Sequence, residues 1–169
     1  FAADDRMFIP DWSLHWVRSV HNLYRYTGDR DLVAELAPVA ERTLRWFESY
    51  LADDGLLHDV TGWVLIDWAS VYSTGCSSAL NALWARALED LAELSTWLGN
   101  PATAEWALER RAGVEAAFDA FWDADRSVYV DHVVDGVRRP AAAQHGGAAA
   151  AHVRHQRIVV VGGAADLQL

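Results

Sequence analysis

The chain has 169 residues, 52% of them apolar, enough for one ordinary domain with a real core. Its formal net charge of −10 argues against nucleic acid or an anionic membrane surface, since phosphate binding requires a positive footprint. The longest apolar runs, such as Ile158 to Val161, fall far short of the roughly 20 residues that cross a bilayer, and Phe1 opens no charged-then-apolar leader. With Cys76 the single cysteine, an intrachain disulfide and a cysteine zinc site are both excluded, and Cys76 reads as a small buried hydrophobe.

From Asp11 to about Thr27, Trp12, Trp16, Val20, Leu23 and Tyr24 recur at helical spacing, and Gly28 supplies a stop. A second helix follows Asp29 and carries Leu32, Leu36, Leu44, Phe47 and Leu51 as far as the Asp53-Asp54-Gly55 turn, so the two form a hairpin. Trp63 to Trp68 reads as a short extended run. A long helix spans about Ser77 to Leu98, a fourth about Ala102 to Trp122, and Ser127 to Val130 resembles a short strand. Beyond Pro140 Ala and Gly dominate. That segment is either a frayed helix to Val153 followed by a strand-like Ile158 to Val161, or a tail that no longer encodes the fold; the second reading is adopted, giving a helical domain over 1–140 and a tail over 141–169.

Laid on itself, the chain repeats. Tyr26-Thr27-Gly28-Asp29 precedes Asp54 by the interval at which Trp97-Leu98-Gly99-Asn100 precedes Asp125, an offset of 71 residues. Hairpins that cannot bury their inner faces alone must stack, and this long period favours a ring of hairpins over tetratricopeptide or armadillo solenoids. Two units are too few to close a ring. The expected fold is all-α: an incomplete (α/α)6 toroid of αα-hairpins with short extended segments in its loops.

Nine tryptophans, all between Trp12 and Trp122, call for explanation. About two thirds are assigned to packing between helices; the rest are available to stack on a sugar. Two acidic-aromatic pairs, Asp11-Trp12 and Asp67-Trp68, sit at element ends, where a carboxylate can accept from hydroxyls while the ring stacks on the same sugar. Asp11 is equally readable as a helix N-cap. Asp5 with Arg6 and Asp11 could form half of a two-carboxylate hydrolytic arrangement, although an Arg between acids is also an ordinary surface ion pair. His15, beside the Asp11 end, is a packed or surface histidine or a sugar contact. No histidine metal motif, phosphate loop or Gly-x-Ser-x-Gly elbow is present, so no metal or cofactor is expected.

Taken together, Asp5-Arg6, Phe8 to Trp16, Tyr26 to Asp29, Trp63, Ile66-Asp67-Trp68, Leu80 to Leu83 and Gln144-His145 resemble, in order, the central helices of α-L-rhamnosidase-like six-hairpin glycosidases. The resemblance runs from about Asp4 to Gly147. It implies a cofactor-free, inverting hydrolase of terminal L-rhamnosides, with Asp5 and Asp11 in the acidic catalytic motif. It further implies Arg6, Trp12, His15, Trp63, Asp67, Trp68 and His145 as substrate contacts. The family's acid and base are typically glutamates, and the base lies several hairpins further on. The chain is therefore expected to be part of a catalytic domain, completed by the remaining part of the barrel and inactive alone. Two competing readings are a non-catalytic helical-repeat module binding carbohydrate or protein, and a toroid glycosidase for another sugar.

Overall fold

The computed structural model describes residues 7–68, 71–144, 147–148, 150–151 and 153. Helix α1 (Pro10–Thr27) opens with a proline at a position whose N–H would be unpaired anyway, and closes at Gly28 in the left-handed region, φ 67°. Helix α2 (Arg30–Trp46) is capped by Asp29, whose side chain accepts from the Leu32 amide. Its last turn tightens into a 3-10 turn, Phe47–Tyr50, so the α-helix ends earlier than its apolar spacing suggests. After a long loop come strand β1 (Cys76–Ser77), helix α3 (Ser78–Leu98) and helix α4 (Pro101–Ala117), again ending in a 3-10 turn, Phe118–Phe121. Strands β2 (Trp122–Asp123) and β3 (Val128–Tyr129) form one antiparallel pair; β4 (His132–Val134) and β5 (Val137–Arg138) form another. Strand β1 joins the second pair by pairing with β4.

The 71-residue repeat holds residue for residue. Arg30–Trp46 and its 3-10 turn map onto Pro101–Ala117 and its own, and Gly28 onto Gly99, also left-handed at φ 81°. Asn100 caps α4 through the Thr103 amide as Asp29 caps α2. The two hairpins stack through α3, which packs on α1, α2 and α4. Its buried residues, among them Leu80, Trp84, Leu88, Leu91 and Leu94, lie all round the helix. At the α1–α3 seam the buried Asp90 is bracketed by Arg18 at 2.6 Å and Arg86 at 3.3 Å, and buried His21 meets Glu93 at 2.7 Å. Asp90 thus has the cationic partners that a carboxylate removed from water requires.

Two sequence expectations need correction. The Trp63–Trp68 run forms no strand; Ile66 has φ 51°, and the amides of Leu65 and Ile66 bond to the Asp11 side chain rather than to a neighbouring strand. Fewer tryptophans fill the core than two thirds: Trp84 alone is fully buried, and Trp16, Trp97 and Trp106 pack half-buried against it. Ring size explains this, because an indole at a helix face seldom buries its whole perimeter. Beyond Pro140, Ala150 and Val153 are helical and belong to the main core. Ile158 to Val161 lie outside the described residues.

Candidate functional site

Several contacts fasten the loop between the first hairpin and β1. Gly62 has φ 110°, and a Cβ there would stand 2.8 Å from the Phe8 carbonyl, so only glycine lets the loop lie this close to the chain entering α1. The Trp63 amide then donates to that carbonyl at 2.9 Å. Two residues on, the amides of Leu65 and Ile66 donate to the two carboxylate oxygens of Asp11, at 3.1 and 3.3 Å. Ser73 donates from its hydroxyl to the Val64 carbonyl. Finally His132 Nδ1 donates to the Thr74 carbonyl at 2.9 Å, and its ring stacks on Tyr72.

These fastenings shape a groove of about 560 Å³ whose wall includes Trp63, Asp67, Trp68, Asp59, Val71 and Thr74. Trp63 and Trp68 meet edge to face, 6.0 Å between centroids, with Trp68 83% exposed. Asp67 is exposed and receives the Trp68 amide at 2.6 Å, which fixes the carboxylate relative to the ring beside it. The volume suits one or two sugar units. Indole faces complement the apolar face of a pyranose, and carboxylates accept from its hydroxyls. Among the described residues no three His, Cys, Asp or Glu side chains gather as a metal site would require.

The sequence-derived residues divide into three groups. Trp63, Asp67 and Trp68 come together on the groove. Asp11 is neither N-cap nor groove residue: Ile9 holds the cap position, and Asp11 is 1% exposed with both oxygens on loop amides. Trp12 and His15 lie on the outward face of α1, away from the groove lining, because consecutive helical residues project about 100° apart. Asp5, Arg6 and His145 lie outside the described residues.

Two contributors were missed. Asp59 lines the groove from a left-handed turn at φ 48°, a conformation aspartate tolerates better than most, but nothing in the local spacing marked it. Buried His132 backs Tyr72 from a strand 58 residues beyond Thr74, a pairing visible only once β4 meets β1.

The stacked αα-hairpins form part of a helical toroid, with an aromatic and acidic groove in a connecting loop. A family model described as the bacterial alpha-L-rhamnosidase 6 hairpin glycosidase domain matches residues 4–139, and the chain belongs to that family. It is similar to the rhamnosidase of Klebsiella oxytoca solved with rhamnose bound, at 24% identity and TM-score 0.77 over 90% of this chain and 28% of that one. It is also similar to the GH78 family rhamnosidase of Bacillus sp. GL1, at 23% identity and TM-score 0.74 over 85% of this chain and 17% of that one. The chain thus spans less than a third of either, and the likeness establishes the shared fold. No curated protein matches it.

Proposed function

We propose that the chain supplies one wall of the sugar-binding cleft of a glycoside hydrolase that cleaves terminal α-L-rhamnosides with inversion. The observation that carries this reading is the convergence of Trp63, Asp67 and Trp68 on one groove within a rhamnosidase-family domain. Rhamnose carries a methyl group where most hexoses carry a hydroxymethyl, so an indole-lined wall suits its apolar side. Inversion requires an acid and a base about 6.5 to 9.5 Å apart across a water. In this reading Asp5 belongs to the acidic catalytic motif, Arg6 and His145 contact the sugar, and Asp67 holds sugar hydroxyls. Asp11 acts through the loop it fixes.

Titration of the chain with L-rhamnose, followed by tryptophan fluorescence, tests the groove: Asp67→Asn and Trp68→Ala are expected to weaken the response at least tenfold. A wild-type chain that gives no response, or one unchanged by both substitutions, refutes it. Hydrolysis of aryl rhamnosides by the isolated chain is not expected; turnover abolished by Asp5→Asn would overturn that expectation.

A further inference from the structure

Two buried polar side chains hold two different stretches of the groove loop. Asp11 holds Leu65 and Ile66, whereas His132, the first residue of β4 and 6% exposed, holds the end that enters β1. Because a carbonyl oxygen can only accept, the 2.9 Å contact with Thr74 assigns the proton to His132 Nδ1. The Thr74 hydroxyl lies 3.1 Å from the same nitrogen, so backbone and side chain of Thr74 are fixed together. His132 is itself seated on α3: it pairs with Ser77, and the carbonyl of Asp131 before it accepts from the amide and the hydroxyl of Ser78 at 2.9 and 3.0 Å.

The hold is passed along the chain. Gly75, the residue after Thr74, accepts the Asp59 amide on its carbonyl at 3.0 Å. Asp59 is exposed, stands at φ 48° and lines the groove together with Thr74 and Asp67. A left-handed backbone is uphill for a residue with a Cβ, and the bond to Gly75 is what holds this one in place. Among the described residues no hydrogen bond or ion pair takes up the Asp59 carboxylate, so both oxygens are available to the groove.

We propose that Asp59 is a further acceptor for sugar hydroxyls in this groove, and that His132 is the positioning residue that sets it there through Thr74 and Gly75 without touching the sugar. This rests on the reading of the groove as a sugar-binding wall. A carboxylate can accept from two neighbouring hydroxyls of a pyranose at once, and does so well only when its backbone is held still. Asp67 follows the stretch fixed by Asp11 and Asp59 the stretch fixed by His132, so the two carboxylates are set independently.

Tryptophan fluorescence titration with L-rhamnose tests this. Asp59→Asn and His132→Leu are each expected to weaken binding roughly tenfold. The amide nitrogen of asparagine stands near the place of imidazole Nδ1, so His132→Asn keeps a donor for Thr74 and is expected to bind within about threefold of wild type. His132→Gln, whose amide reaches further, is not expected to recover. The double variant Asp59→Asn/His132→Leu should bind within about threefold of either single one, because both remove the same contact, whereas His132→Leu with Asp67→Asn should lose about a hundredfold. Should His132→Leu not fold, the asparagine and glutamine variants carry the comparison. A His132 that only stabilises the fold would lower the urea midpoint of its variants without this pattern. Wild-type binding that Trp68→Ala weakens and Asp59→Asn leaves unchanged overturns the proposal while sparing the groove, as does equal affinity of His132→Asn and His132→Gln. A wild-type chain that gives no response to L-rhamnose refutes the groove reading, and this proposal with it.

Discussion

Asn81 and Leu57 are joined twice: the Leu57 amide donates to Asn81 Oδ1 at 2.8 Å, and Asn81 Nδ2 donates to the Leu57 carbonyl at 3.1 Å. Asn81 is wholly buried and also donates to the Ser77 carbonyl at 2.9 Å. One amide side chain on α3 thereby replaces the strand that the Leu57 backbone lacks. Asn81→Ala is expected to leave both buried Leu57 groups unpaired and to cost about 2 to 4 kcal/mol, read as a lower urea midpoint. Asn81→Asp, which keeps the acceptor but loses the donors, should be no better tolerated.

Asp11→Asn tests the loop fastening. The amide nitrogen cannot accept from a backbone N–H, so one of the two bonds to Leu65 and Ile66 is lost while helix α1 stays intact. A loss of about 1 to 2 kcal/mol is expected. The more telling readout is faster proteolysis within 61–68 and a changed environment for Trp63 and Trp68. If cleavage and fluorescence are both unchanged, Asp11 does not control the loop.

Acid should loosen the joint between α2 and α4. Glu48 is subject to burial, which raises its pKa, but hydrogen bonds from Arg110 and Trp106, with the charges of Arg110 and Arg45, outweigh burial and hold it below the ordinary carboxylate value. A carboxyl group whose folded pKa is depressed contributes stability above its unfolded pKa, and that contribution disappears as pH falls through the folded one. Glu48→Gln is therefore expected to be less stable than wild type near neutrality and to show a shallower loss between about pH 5 and 3. Parallel acid limbs for the two proteins would sink the assignment.

Gly75→Ala is expected to be the most disruptive small substitution on the groove. Gly75 has φ 71°, and a Cβ would stand 2.5 Å from the Val133 carbonyl, a backbone atom of the strand paired to β1. Strain and displacement together should cost about 3 kcal/mol or more. Cys76 next door supplies the probe: its buried thiol is expected to resist labelling in the wild type and to react readily in the variant.

Most of the helical frame could be read from the chain itself, because caps and periodicity are local. Gly28, Gly99, Asp29 and Asn100 announce the helix ends through their own backbone needs, and the repeat extends that reading across both hairpins. The loop was harder. Whether Trp63 to Trp68 is a strand depends on what its amides meet, and Asp11, 54 residues earlier, is invisible to any local pattern. The same distance hid the structural task of Asp11: the Asp-Trp pairing was noticed, but not that a helix sends the two side chains in different directions. Asn81 was noted within a family motif, yet its hydrogen bonds emerge only when α3 packs beside the turn at Leu57.

Helices α1, α2 and α4 all rest on α3. For a chain emerging from a ribosome this imposes an order. The α1–α2 hairpin is synthesised before α3, the surface on which both of its helices pack. The repeat, though regular in backbone, leans on one shared helix and so is not modular in its packing.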